Sequence, residues 1–197
     1  AISPPEERVQ RSDARRNRER ILVAAKEVFG TEGDQAQMDD IARVAGVGVG
    51  TVYRHFPTKD ALMGELITLK FVGLAARARE ILAEVDDPWE AFETFVTESA
   101  EKMAADRAQQ QMMWLATPEA FAVAIPAQQE LSEVSAKIIK RAQKARTLRK
   151  DWSAENLPTL MCALTSSMQM EARNEGGPVR HDWRMLLKVT LDGLRVR

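Results

Sequence analysis

Met38-Asp-Asp-Ile-Ala-Arg-Val-Ala-Gly-Val-Gly-Val-Gly-Thr-Val-Tyr-Arg-His-Phe56 is the stretch on which the reading of this chain turns. Its spacing is that of two short helices crossing through a tight turn, the helix-turn-helix arrangement. Such a crossing needs a small side chain at the point of contact, and Ala42 supplies it. Four residues on, the backbone must reverse sharply, and Gly46 can take a left-handed conformation without steric penalty. Ile41 and Val47 flank the turn, while Val52 and Phe56 face inward from the second helix. Upstream, Ile21, Leu22, Ala25 and Phe29 recur at helical spacing and provide a third wall.

A second helix of this kind enters the DNA major groove N-terminus first. Gly48, Val49 and Gly50 carry no side-chain donor, so they suit close backbone approach, with Val49 able to meet a thymine methyl. Thr51 and Tyr53 bring hydroxyls to phosphates, and Arg54 can pair with guanine or a phosphate. His55 and Lys59 lie at the edge, where phosphate contacts position a protein without reading sequence. Before the first helix, Arg8, Arg11, Arg15, Arg16, Arg18 and Arg20 stand against only Asp13 and Glu19. Residues 1–13 read as a mobile arm, either a basic strand for the DNA backbone or a solubilising tail.

The rest of the chain is helical by pattern. Gly30 and Gly33 end the first helix, and Thr58 can cap a helix from Lys59 onward. Asp87-Pro88-Trp89-Glu90 places a capping residue, a proline at the first position and an acid in the first turn. Thr117-Pro118 repeats that grammar. Pro126 predicts a break before a run from Gln128 to Arg149. Ser153 caps a helix to about Asn174, with Pro158 in its first turn. Gly176-Gly177-Pro178 reads as a loop before a last helix marked by Trp183, Leu187, Leu191 and Leu194. The acid-only stretch Glu80–Glu101 and the base-only stretch Lys137–Lys150 read as solvated faces. The fold class is therefore all-α, about nine helices, with a DNA-binding domain over 1–58 and a helical bundle over 59–197.

With 197 residues, 45% hydrophobic and 29% charged, the chain is an ordinary globular one, and its net charge of −1 requires any DNA site to be a local patch. No run approaches a membrane span. Cys162, the single cysteine, sits among apolar residues and reads as a buried thiol, in keeping with a reducing cytoplasm. Catalysis is disfavoured. His55 and His181 have no metal-ligand spacing, no phosphate-binding glycine loop follows a strand, and Asp39-Asp40 are explained by solvation. No metal or other cofactor is expected. A helical adaptor using the same motif for protein contacts is the other alternative, and it would need no arginine arm.

With these residues in place, the chain resembles the tetracycline-repressor (TetR) family of bacterial regulators. The likeness is closest from about Arg15 to Leu66 and most diagnostic at Gly50-Thr51-Val52-Tyr53, Phe56 and Lys59. It implies phosphate contacts from Thr51, Tyr53 and Lys59, and base or backbone contacts from Val49, Gly50, Arg54 and His55. It also implies a homodimer on a palindromic double-stranded operator, acting as a repressor released by a small molecule. Two departures stand out. Gln37 replaces the usual capping Ser or Thr, a loss of roughly 1 kcal/mol, and Gly48-Val49 replaces a Ser-Lys pair.

Beyond Leu66 the likeness is one of layout, and the usual glycine before Leu148-Arg149 is absent. The family arrangement implies that the last two helices pair with a second chain, through a stripe containing Leu160, Met161 and Leu164 and another containing Trp183, Leu187 and Leu191. Either stripe also fits plain core within one subunit. Met103, Met112, Met113, Trp114, Phe121 and Met168 are the candidate lining of an apolar ligand cavity, with ordinary core as their alternative. The expected ligand is apolar and mostly uncharged, since Gln111, Thr165, Ser166 and Gln169 are the main polar groups nearby.

Overall fold

A computed structural model of the chain describes residues 5–173 and 182–196, with side chains from Ser12 onward. Among the described residues the secondary structure is nine α-helices and one short 3-10 turn: α1 (Pro5–Glu32), α2 (Met38–Ala45), α3 (Val49–His55), α4 (Lys59–Glu84), α5 (Pro88–Ala105), α6 (Arg107–Leu115), α7 (Pro118–Lys144), α8 (Asn156–Arg173) and α9 (Trp183–Leu194). The all-α expectation holds, and the nearest thing to a strand is a single bridge between Leu148 and Arg195. None of these helices is long and apolar enough to cross a membrane.

The helix starts obey the capping grammar of the sequence. Ala61 N donates to Thr58 Oγ1 at 3.0 Å, Glu90 N to Asp87 Oδ1 at 2.7 Å, and Ala120 N to Thr117 Oγ1 at 3.1 Å. Each bond satisfies one of the amides left over at a helix start. Asn156 opens α8 instead of Ser153, whose backbone N–H donates to Asn156 Oδ1 at 2.8 Å, and Pro158 falls in the first turn as expected. Asp182 caps α9 through Arg184 N and Met185 N. The expected loop at Gly176-Gly177-Pro178, together with Asn174 and His181, lies outside the described residues.

Three further expectations are corrected. The N-terminal arm is helical from Pro5, because proline suits a first helical position and no glycine or further proline interrupts the chain before Gly30. Gly30 lies within α1, and the turn comes at Gly33, where φ is +63°. Pro126 does not break the chain but sits inside α7. It removes one backbone hydrogen bond, yet Ala124 and Ala127 on either side are buried, so packing holds the helix through it.

The described chain divides into two units. The first comprises residues 1–68 with 111–124, and the second residues 69–110 with 125–197. In the first, Ile21, Ala25, Phe29, Ile41, Val52, Leu62 and Ile67 have no exposed surface. At about 25 cal/mol per Å² of apolar area, each large one contributes roughly 1.5–3 kcal/mol. Here α4 and the start of α7 approach closely. A Cβ added to Gly64 would lie 2.6 Å from both Ala120 O and Val123 Cβ. The hydroxyl of Thr117 donates to Asp60 Oδ1 at 2.7 Å, tying the same two helices.

The second unit is built on a cluster that includes Phe92, Phe95, Ile138, Leu148, Leu164, Trp183 and Leu191. Arg77 spans from α4 to α5, donating to Glu98 through Nε at 2.7 Å and Nη2 at 2.9 Å, and this pairing holds the Glu98 carboxyl below its usual range. From the base-rich stretch, Arg141 turns to the end of α4 and donates to the carbonyls of Leu82, Val85 and Asp86. Gly73, also on α4, has nothing within 4 Å of where a Cβ would stand. Two substitutions on one helix should therefore move in opposite directions. Gly64→Ala should lower stability by about 1–3 kcal/mol through overpacking against backbone, and Gly73→Ala should raise it by up to about 1 kcal/mol. Denaturant unfolding of both variants checks this, and equal effects would contradict the packing described.

Candidate nucleic-acid interface

The local geometry begins at Gly46, whose φ of 63° and ψ of 41° lie in the left-handed region. Its N–H and that of Val47 return to the carbonyls of Arg43 and Ala42 at 3.2 and 3.0 Å, closing α2. Ala42 and Ala45 are buried on the inner side of α2, and Val52 and Phe56 on that of α3. Gln37 makes no side-chain cap for α2 and instead donates to Gln35 O at 2.9 Å. Asp39 and Asp40 in the first turn offset this in part, since negative charge is favoured at a helix start.

With Val52 fixed inward, the opposite side of α3 faces out. Val49, Gly50, Tyr53 and Arg54 are exposed, and Thr51 and His55 are half-buried. Arg54 Nη2 reaches Thr51 Oγ1 at 3.4 Å, so the hydroxyl and the guanidinium form one outward cluster. Cβ atoms added at Gly48 or Gly50 would meet nothing within 4 Å, and neither residue has a positive φ. The fold itself therefore makes no demand for glycine at either position. Their effect is to keep the leading edge of α3 bare.

The arginines separate into two groups. Arg15 and Arg16 are exposed and, among the described residues, form local pairs with Glu19 at 3.7 Å and with Asp13. Arg18 pairs with Glu65 at 2.6 Å and stacks over Phe56, 5.4 Å from the ring centre. Arg20 donates to Gly46 O at 3.1 Å. The side chains of Arg8 and Arg11 lie outside the described residues. Arg18 and Arg20, read from sequence as part of a basic arm, are thus engaged within the fold: Arg20 clamps the turn, and Arg18 ties α1 to Glu65 of α4 and to the Phe56 ring. Sequence spacing cannot reveal this, because the partners are distant along the chain. Lys59 is also engaged: its Nζ donates to Asp34 O at 2.9 Å and sits 5.8 Å from the Phe29 ring centre.

The other candidate residues are placed as follows. Met103 and Met168 are buried in the core of the second unit, while Met112, buried, and Met113 and Phe121, half-buried, belong to the first. Trp114, also in the first unit, is 62% exposed, contrary to its expected place in a cavity wall. In the proposed dimer stripes, the burial within one chain fits the plain-core alternative. Leu160, Leu164, Trp183, Leu187 and Leu191 are all buried in the core of the single chain, and Met161 packs against it. Met161, half-buried, keeps some surface, whereas the other five have little. The opposite sides of these helices expose Met170 on α8 and Met185, Leu186 and Val189 on α9. Cys162, expected to be buried, is exposed, because it lies across α8 from Leu160 and Leu164.

Two sequence profiles match the chain. One, described as bacterial regulatory proteins of the tetR family, covers residues 21–66. The other, described as the C-terminal domain of SbtR-like transcriptional regulators, covers residues 87–196. A TetR transcription regulatory protein from Mycobacterium vanbaalenii is 30% identical, with 95% of this chain and 99% of that one aligned at a TM-score of 0.61. The fatty acid degradation regulator FadR from Bacillus halodurans shares the fold, with a TM-score of 0.71 at 18% identity over 98% of this chain and 95% of its own. An HTH-type transcriptional regulator of Staphylococcus aureus is 38% identical over 80 residues, which are 40% of this chain and 42% of that regulator's length.

Replacing the two groups of arginines should have distinct effects on stability. Arg18→Ala with Arg20→Ala should lower it by about 1–2 kcal/mol, because the half-buried Glu65 carboxylate, the Phe56 ring and the Gly46 carbonyl lose their cationic partners together. Arg15→Ala should change it by less than about 0.5 kcal/mol, as for exposed helix pairs. Thermal unfolding distinguishes them, and equal losses would contradict the division.

Proposed function

Because this chain belongs to the TetR family of DNA-binding bacterial regulators, we propose that it is a repressor that binds a palindromic operator as a homodimer and is released by a small organic molecule. The observation that carries the reading is the outward face of α3: Val49, Gly50, Tyr53 and Arg54 exposed beside Thr51, on a helix whose inner side is locked by Val52 and Phe56. A bare leading edge at Gly48 and Gly50 admits the backbone close to base pairs, and Val49 is sized for a thymine methyl. Thr51 and Tyr53 supply phosphate donors, Arg54 takes guanine or phosphate, and His55 borders the surface. Arg15 and Arg16 extend the basic surface along α1. Lys59 contributes charge from the edge while remaining held to Asp34 O.

Dimerisation, on this reading, uses the exposed sides of the last two helices, through Met170, Met185, Leu186 and Val189, in place of the buried stripes. Exposed apolar residues on these two helices suit an association surface. A C2 dimer matches a palindromic operator because the protein and DNA two-fold axes coincide. The second unit is then the sensor. Its state passes to the reading head through α4, which carries residues of both units, and through α7, whose first residues pack with Gly64 and Asp60 in the first. The setting is the cytoplasm, where the DNA is.

Binding to random duplex DNA should weaken steeply with salt, and Arg15→Ala with Arg16→Ala should reduce the slope of log K against log salt by roughly two. Gly50→Ala should leave the fold at least as stable, by up to about 1 kcal/mol, yet weaken binding to an operator selected from random DNA by tenfold or more. Tyr53→Phe with Arg54→Ala should do the same without altering the oligomeric state. Anisotropy titrations measure all three, and unchanged affinity in Gly50→Ala would remove α3 from the groove. Separately, Met185→Glu with Val189→Glu should yield a folded monomer by sedimentation, and a persistent dimer would place the interface elsewhere.

A further inference from the structure

Arg54 lies in the last turn of α3, yet its side chain leans back toward the start of the helix, where Nη2 donates to Thr51 Oγ1 at 3.4 Å. Helical side chains generally tilt this way. A guanidinium only donates, so the Thr51 hydroxyl is the acceptor and keeps its own hydrogen for another partner. Threonine is stiff about its first side-chain torsion, which makes it a firm support for a long and flexible side chain. Position 50 is the other neighbour one turn back from Arg54, and a Cβ there would meet nothing within 4 Å. The guanidinium therefore has a hydroxyl on one side and an open strip of backbone on the other.

This arrangement decides between a base and a phosphate as the partner of Arg54. A helix that enters the major groove goes in by its N-terminus. A side chain leaning toward that end is carried to the base edges and away from the phosphates that border the groove. Of the other exposed residues on α3, Val49 and Gly50 have no side-chain donor, and Tyr53 has a single hydroxyl. Guanine shows two acceptors in the major groove, O6 and N7, and a forked donor takes both at once.

We propose that Arg54 reads one guanine in each half-site through O6 and N7, and that Thr51 is the positioning residue that aims it. This rests on the reading of α3 as the groove helix and narrows what its face recognises. Discrimination between operators then falls mainly on one G·C pair per half-site. The free hydrogen of the Thr51 hydroxyl still suits a phosphate, so the two roles coexist.

The test uses the full chain and a duplex selected from random DNA. Each guanine of the half-site is replaced in turn, in both half-sites together, by 7-deazaguanine, which loses the N7 acceptor and keeps base pairing. Anisotropy titrations at one salt concentration compare the parent with Arg54→Ala, Thr51→Val and Thr51→Ser. At one guanine the replacement should weaken binding of the parent by roughly tenfold or more, and that of Arg54→Ala by less than about twofold. Thr51→Val should bind both duplexes more weakly, through the lost phosphate donor, and should also reduce the ratio between them to about threefold. Thr51→Ser should restore the full ratio. A general loss of fold or charge leaves that ratio unmoved. Tolerance of the replacement at every guanine, or a full ratio retained by Arg54→Ala, overturns the inference, and a full ratio in Thr51→Val overturns the role of Thr51. A ratio that persists in Arg54→Ala assigns the contact to another residue and leaves the groove reading standing. Tolerance at every guanine, with each N7 also open to methylation in the complex, removes both.

Discussion

The left-handed turn at Gly46 is the constraint from which the reading head follows. A Cβ there would meet Arg20 Nη2 at 2.7 Å and would have to occupy a φ of +63°, which costs an ordinary residue on the order of 1–2 kcal/mol. With glycine in place, α2 and α3 cross closely enough for Ile41 and Val52 to share one core with Ile21 and Phe29, all four fully buried. Arg20 on the Gly46 carbonyl, and Arg18 between Glu65 and the Phe56 ring, then hold the pair against α1 and α4. The direction in which Tyr53 and Arg54 point is a consequence of that packing, not a property of α3, which at seven residues is too short to persist alone.

The same packing explains how one sequence region can be both rigid and bare. Side chains that fix α3 come from its inner side and from neighbouring helices, leaving its outer side free of structural duty. Gly48 and Gly50 have room for a Cβ and do not need glycine's backbone freedom. Gly48 is the N-cap of α3, where glycine is well tolerated, but Gly50 lies inside the helix and lowers its propensity without any gain within the chain, the pattern expected where local stability is given up for an approaching partner.

Much of the fold is legible in the sequence because its signals are local. Capping at Thr58, Asp87 and Thr117 depends on residues three positions apart, and the helix-turn-helix on residues within one short stretch. Pro126 misleads because its penalty is local while the packing of Ala124 and Ala127 that overrides it is not. The stripe through Leu160, Leu164, Trp183, Leu187 and Leu191 is correctly apolar, but periodicity identifies a buried side without saying whether the cover is the same chain or another. Arg18 and Arg20 read as a free arm for a related reason: their partners, Glu65 and Gly46, lie well away along the chain.

The central claim is that the outer face of α3 lies in the major groove of its operator. Dimethyl sulfate protection on a duplex selected from random DNA measures this directly, since guanine N7 faces the major groove and adenine N3 the minor. The account predicts guanine N7 protection in two half-sites about one helical turn apart, lost in Gly50→Ala at the same protein concentration. Strong binding with every guanine N7 still open to methylation would contradict it.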